Sequence, residues 1–292
     1  MNNEIHISWS EISDFLSCNY KHYLGYTKKL KTSSDTINLI FGKVIHSVLE
    51  SFLKKEIKSV ELIKVFNSKF VTLENIKNYT PESVYKFQKQ GISILTEIIT
   101  KYSWDTIEVL HTELPLYEHI YLEFYFKGII DLVYKHKGYY WIADWKTATN
   151  KWNDFKFRDE YYGWQLLYYK YFFHKKYKIP LEKIKTCFIL LNRNDNEAPN
   201  VQKTVFLNVP SDSKRIEPAI RKLYEILNTI YSQSNENCLR RTIGYNCNIC
   251  EFNQSKHCSG NEKTEYSKKE KKKIVVEKAT TIAEKIRKGQ KR

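Results

Sequence analysis

The chain has 292 residues, 42% hydrophobic and 15% aromatic, enough for one large core or one core plus a small appendage. Its formal charge of +15, from 48 Lys and Arg against 33 Asp and Glu, favours a polyanionic partner, nucleic acid or an anionic membrane; a lysine-rich composition is the competing explanation. No apolar run approaches the roughly 18 residues of a membrane span and Met1 to His6 lack a signal-peptide core, so the expectation is a soluble, cytoplasmic protein with no membrane contact, whose six cysteines bind metal or sit buried rather than pair as disulfides.

In chain order, Ser8-Trp9-Ser10-Glu11 has the form of a capping box, and Ile12, Phe15, Leu16, Tyr20 and Tyr23 continue its apolar face at helical spacing. The helical pattern holds from Leu39 to about Thr100: one helix through Phe41, Val44, Ile45, Val48, Leu49 and Phe52, a second near Glu61 to Leu73, and a third after the break at Thr80-Pro81. β-branched and aromatic residues then mark strands over Ile107 to Tyr117, Tyr121 to Tyr134 and Tyr139 to Trp145. His136-Lys137-Gly138 supplies a hairpin turn between the last two. Phe157 to Phe173 reads as helix, Lys185 to Asn192 and Val201 to Leu207 as strands, and Ser211 to Tyr231 as a final helix. This order predicts an α/β fold with a mixed central sheet flanked by helices. Residues 261–292 carry 12 Lys and Arg against 5 Glu, either a solvated tail or a phosphate-binding arm, helical or disordered.

The chemistry concentrates in Gly128-Ile-Ile-Asp131 and Asp144-Trp145-Lys146. Phosphodiester hydrolysis needs an activated water, neutralisation of the phosphoryl oxygens and help for the leaving oxygen, and Mg²⁺ or Mn²⁺ held by oxygen ligands supplies all three. Strand alternation puts Asp144 and Lys146 on one face, with Trp145 turned away and its backbone carbonyl between them as a further candidate ligand. A bare D-x-K is equally a surface salt bridge, but both acids come at the ends of apolar strand segments, where a carboxylate is costly without a role. His46 interrupts an apolar helical face, a place where most histidines are core residues. Gln165 and Tyr169 lie one helical turn apart on the helix after the D-x-K strand, a pair that by itself reads as packing.

Taken in order, Gly42 to His46, Gly128 to Asp131, Asp144-Trp145-Lys146-Thr147 and Gln165 to Tyr169 resemble the motifs of PD-(D/E)XK nucleases, specifically the RecB-like branch. The resemblance implies a restriction-endonuclease-like sheet, with His46, Asp131 and Asp144 binding the metal and Lys146 the catalytic lysine. Gln165 and Tyr169 would support the site or the DNA, and Glu113 stands where relatives often have an acid.

Cys247-Asn-Ile-Cys250 and Cys258 are one thiolate short of a closed site, and Cys18 is the distant fourth. Thiolates select zinc or iron–sulfur. One early and three late cysteines resemble the [4Fe–4S] variants of the same branch, including CRISPR-adaptation nucleases and helicase–nuclease subunits, with the cluster clasping the chain ends; Cys238 is the substitute for Cys258, and Cys187 reads as core. Lys151 to Arg158, with Tyr161, Tyr162 and Trp164, mixes cations and rings as a single-strand contact does, or packs a helix.

The domain reading is one nuclease domain over residues 1–260, with a helical insertion at about 39–103 that forms a wall or arch over the cleft, a core at about 104–232 and a cysteine segment at 238–258, followed by the tail. The expected function is a metal-dependent exonuclease on single-stranded or frayed DNA in recombination, repair, replication or CRISPR-type processing, with a helicase or other recombination or adaptation protein as partner. A DNA-binding assembly subunit and a structure-specific endonuclease are the alternatives.

Overall fold

The computed structural model describes residues 4–30, 36–72, 74–149, 161–194, 202–231 and 239–258. Strand β1 (Ile5–Ser8) runs directly into α1 (Trp9–Ser17), where Ser8 Oγ accepts the Glu11 N–H at 3.3 Å, half of the capping box. A short α2 (Asn19–His22) and a π-helical turn (Tyr23–Thr27) follow. The three expected helices are α3 (Ile37–Leu53), α4 (Leu62–Thr72) and α5 (Pro81–Lys101). Thr36 and Thr80 cap α3 and α5 by accepting from Leu39 N and Ser83 N, and Pro81 stands in the first turn, where its missing N–H costs nothing.

The strands are β2 (Glu108–Tyr121), β3 (Phe124–His136) and β4 (Tyr139–Ala148), then β5 (Ile184–Asn192) and β6 (Thr204–Val209) after α6 (Trp164–Tyr177); α7 (Ser213–Tyr231) follows β6. Lys137 and Gly138 both take left-handed backbone (φ 49° and 77°), the pair of conformations that matches the twist of a two-residue hairpin, so β3 and β4 pair as expected. The six strands form one mixed sheet in the order β1-β3-β4-β5-β6, with β2 on the remaining edge of β3. β1 on β3 and β4 on β5 are parallel; the other pairings are antiparallel.

The chain divides into two compact units, Met1–Ser13 with Ser34–Ser232, and Asp14–Ser33 with Gln233–Arg292. In the first, α3, α4 and α5 pack Phe41, Ile45, Phe66, Phe70 and Ile94 into one cluster with Leu132, Ala143, Trp145, Ile189 and Leu191 of the sheet. The helical region is therefore a packed layer on the sheet, not an arch standing free of it. Each of the largest of these side chains contributes about 1.5–3 kcal/mol by leaving water. On α6, Phe172 stacks on Phe126 at 4.4 Å, and Tyr168 Oη donates to the Ala219 carbonyl of α7 at 2.9 Å.

In the second unit the early and late segments meet directly. Tyr20 N donates to Arg240 O (3.1 Å), Tyr20 Oη donates to His257 O (3.0 Å), and Lys21 bridges Asp14 (2.7 Å) and Glu251 (3.4 Å). Among the described residues no helix is long and apolar enough to cross a membrane.

Candidate active site

The site begins where a ladder stops. β2 follows one edge of β3 along its length, while the other edge is shared: Phe124–Lys127 pair with β1, and Leu132–His136 with β4. The β3–β4 pairing runs only to Leu132↔Ala143, so Asp131 and Asp144 are the first residues past its end. They sit inside their strands rather than at the ends, as the apolar pattern alone implied; the pairing between them is what ends. A backbone N–H left without an acceptor there would cost about 1–3 kcal/mol. Asp131 Oδ2 fills the gap by accepting the Trp145 N–H at 2.8 Å.

The opposite edge of β3 is irregular at the same level. Pairs Thr112↔Leu132 and Leu114↔Ile130 bracket Glu113 and Asp131, which do not themselves pair, and Glu113 has φ 50°. A left-handed non-glycine residue in a strand stores roughly 1–2 kcal/mol.

The remaining side chains gather at this fork. Asp144 is only 2% exposed, and its Oδ2 lies 2.6 Å from Lys146 Nζ, as strand alternation predicted. Gln165 Nε2 donates to Asp144 Oδ1 at 2.7 Å and to Tyr169 Oη at 3.2 Å. From α3, His46 Nδ1 lies 3.7 Å from Asp131 Oδ2. One turn before it, a Cβ built on Gly42 would stand in ordinary contact, 3.5 Å, with Thr147 Oγ1. A Cβ on Gly128 would fall 2.7 Å from Tyr169 Cε1, so that glycine is required by the approach of α6. Gly42, His46, Gly128, Asp131, Asp144, Lys146, Thr147, Gln165 and Tyr169 of the four ordered motifs thus lie around the fork, and Trp145 turns its ring into the helical layer, as expected.

Charge crowding marks the electrostatics. Burial and then the Asp144 carboxylate push the Asp131 carboxyl well above the usual range, against the pull of the Trp145 N–H and Lys146. Burial and then Glu50 and Asp144 raise Glu113. Burial lowers His46, with the Asp144 carboxylate pulling the other way. Glu50, one turn after His46 on α3, was not picked out from the sequence; the i, i+4 spacing from His46 is the signal that points to it. Glu50 also holds Lys54 at 2.6 Å. As they stand, no three His, Cys, Asp or Glu side chains among the described residues converge closely enough to hold a metal ion.

The other singled-out residues fall elsewhere. Lys151–Arg158, Cys238 and the basic tail lie outside the described residues. Of the neighbouring rings, Trp164 packs edge-on against Tyr161 and Tyr168, and Tyr162 lies 5.8 Å from Phe188, which favours the packing reading for that part. Cys187 is buried, with its thiol pushed up to about 12, an inert core residue. Cys18, Cys247, Cys250 and Cys258 are all unbridged and all in the second unit. Cys18 Sγ accepts from Thr242 N at 3.4 Å, Cys247 Sγ donates to Thr242 O at 3.7 Å, and burial raises the Cys250 thiol, with Cys18 a smaller like-charged contributor.

A mixed sheet flanked by helices, with two acids and a lysine where two of its strands part, defines a restriction-endonuclease-like α/β protein. The model of the PD-(D/E)XK nuclease superfamily matches residues 6–255, and the chain belongs to that superfamily. Among solved structures, one from Eubacterium rectale described as a "putative exonuclease" is similar with 13% identity, TM-score 0.48, and coverage of 77% of this chain and 81% of its own. A second, SSO0001, is similar with 14% identity, TM-score 0.33, and coverage of 82% and 93%. No curated protein matches the chain.

Proposed function

We propose that this nuclease hydrolyses phosphodiester bonds of DNA with Mg²⁺ or Mn²⁺, acting as an exonuclease on single-stranded or frayed ends. The observation that carries the reading is the fork, two carboxylates past the end of a ladder with Lys146 Nζ 2.6 Å from Asp144. Asp131, Asp144 and His46 are the proposed metal ligands, joined by the Trp145 carbonyl. The donor set fits in kind: hard cations take carboxylate oxygens, and a cation would offset both the burial and the Asp144 repulsion that raise Asp131. Closing the set requires side-chain adjustment at His46 or Asp131. When bound, the cation neutralises phosphoryl oxygens and makes its water more acidic.

The chain's own groups do the rest. Gln165 fixes the orientation of Asp144 through Oδ1, and Tyr169 in turn holds Gln165. The Lys146 ammonium orients the attacking water and offsets the charge that grows on the phosphoryl oxygens as the P–O ester bond breaks. The convergence of all four ordered motifs on one fork supports the RecB-like branch. The nuclease domain is taken as residues 1–260, with 261–292 as a basic DNA-contacting tail. A cytoplasmic setting in recombination, repair, replication or CRISPR-type processing, with a helicase or adaptation protein as partner, accords with this activity.

The proposed role of Cys18, Cys247, Cys250 and Cys258 is to hold a [4Fe–4S] cluster, with zinc as the alternative. The supporting observations are that all four thiols belong to one unit and that Cys18 and Cys247 both contact Thr242. A cluster there would be structural, because hydrolysis has no redox step. Anaerobically purified protein should be coloured and carry stoichiometric iron; colourless protein with one zinc would replace the cluster.

The activity is tested with 5′- and 3′-labelled linear DNA beside a single-stranded circle. Linear strands should shorten from an end while the circle survives. A cut circle would make the enzyme an endonuclease, and binding without turnover would leave the assembly-subunit reading. Full activity in folded Asp144→Ala or Lys146→Ala would overturn the site.

A further inference from the structure

The hairpin end of β4 carries an arrangement that the fork does not use. Tyr139, Tyr140 and Trp141 are successive rings, all partly exposed. Trp141 pairs in register with Tyr134 on one side and Lys185 on the other, and the Tyr134 and Trp141 rings stack at 6.0 Å and 6°. Lys185 Nζ sits 3.6 Å from the Tyr139 ring centroid and 5.5 Å from that of Trp141; Lys183 Nζ lies 6.0 Å from Tyr139. Beside them is a cavity of about 340 Å³ walled by Tyr102, Trp104, Tyr134, Trp141 and Phe206.

Three properties separate this cavity from a packing defect. Voids in cores are apolar and dry, whereas Asn208, His136 and Ser103 also line this one. The Trp141 Nε1–H is buried and finds no acceptor among the described residues, although buried indole donors ordinarily have one. Two ammonium groups stand beside the rings. The volume falls at the small end of ligand sites and suits one planar ring system.

We infer that this cavity binds a nucleobase carrying a phosphate, with the base seated among the rings and the phosphate met by Lys185 and Lys183. Rings accept any base through its π-face, base edges carry the acceptor that Trp141 lacks, and mixed rings and cations suit unstacked bases. The ligand is either a free mononucleotide or one base of a single strand; the second source rests on the DNA substrate proposed above.

The test is equilibrium binding by the full chain in EDTA, where no turnover occurs, with dAMP and a fluorescent adenine-containing single-stranded oligonucleotide as separate probes. Trp141→Leu should weaken binding of at least one probe by about 5- to 150-fold, the range for loss of one aromatic contact to a base. Lys185→Gln should weaken the same probe by a smaller factor, and Trp141→Phe should restore much of the loss. Weakening confined to dAMP identifies a mononucleotide site; weakening of the oligonucleotide identifies a strand contact. Folded variants that bind both probes like the wild type overturn the site, and if Trp141→Leu does not fold, Lys185→Gln decides alone. A protein that binds through Trp141 but never cleaves keeps this inference and removes the proposed nuclease activity; a cleaving protein with unaffected variants does the reverse.

Discussion

The two ends of β4 obey the same alternation and serve opposite ends. From Tyr139 to Ala143 the ladder to β3 is complete, so backbone groups satisfy one another and the side chains are left to stack. At Asp144 the ladder has stopped, and side chains take over the work of the backbone: Asp131 receives the Trp145 N–H, and Gln165 and Lys146 hold the Asp144 carboxylate. Charge is built into the structure at the fork and laid on its surface at the hairpin. A strand acquires reactive groups where its partner leaves it.

The largest expected effect is at the fork. Asp144→Ala should lower cleavage of linear DNA by at least about 100-fold, the scale for losing one preorganised electrostatic group, while circular dichroism stays native. Asp131→Asn should abolish turnover to a similar degree yet raise the melting temperature in EDTA, because it removes a buried like charge and keeps an acceptor for Trp145. In a chain of this size, each kcal/mol moves the midpoint by roughly 1.5–2 °C. The same variant should lose any melting increase on adding Mg²⁺ or Mn²⁺, read by differential scanning calorimetry. A lower midpoint in EDTA would mean that the carboxylates do not repel.

The pH dependence has a definite sign. A carboxyl raised by folding binds more protons folded than unfolded between its two pKa values, so stability falls as pH rises from the ordinary carboxylate range through the Asp131 folded value. His46 is lowered by burial and works oppositely, costing stability as pH falls below its ordinary 6.5 towards its folded value. The difference between wild type and Asp131→Asn across pH in EDTA isolates the carboxyl, and divalent metal should flatten it. At the hairpin end, Lys185→Gln should cost less than about 1 kcal/mol of stability in urea titrations, the scale of an exposed cation–ring contact. A larger loss would erase the contrast between the two ends.

Much of this was legible before folding. The break at Thr80-Pro81 and the turn at His136-Lys137-Gly138 are local chemistry, and both appear as expected, the break as the capped start of α5. The four motifs were legible as an ordered set because each retains its residues at fixed spacing. β1 was not legible as a strand: four residues leading straight into a helix show no period of their own, and only their pairing with Phe124–Lys127 makes them one. Likewise the apolar runs suggested that the acids close their strands, because sequence records where apolar residues stop and not where one strand leaves another. The left-handed Glu113 and the charge coupling through Glu50 depend on which edges meet, and no local pattern encodes that.

Gly128 and Tyr169 look independent along the chain, forty-one positions apart, yet the 2.7 Å approach makes them halves of one contact. The glycine acts as a shim of zero thickness: its missing methyl sets how closely α6 lies on β3, and so whether Gln165 reaches Asp144. The two positions should therefore be inherited as a pair. A relative that gains a side chain at the glycine is expected to lose the ring from the helix, and a family alignment in which the two vary independently would show that the spacing is set elsewhere.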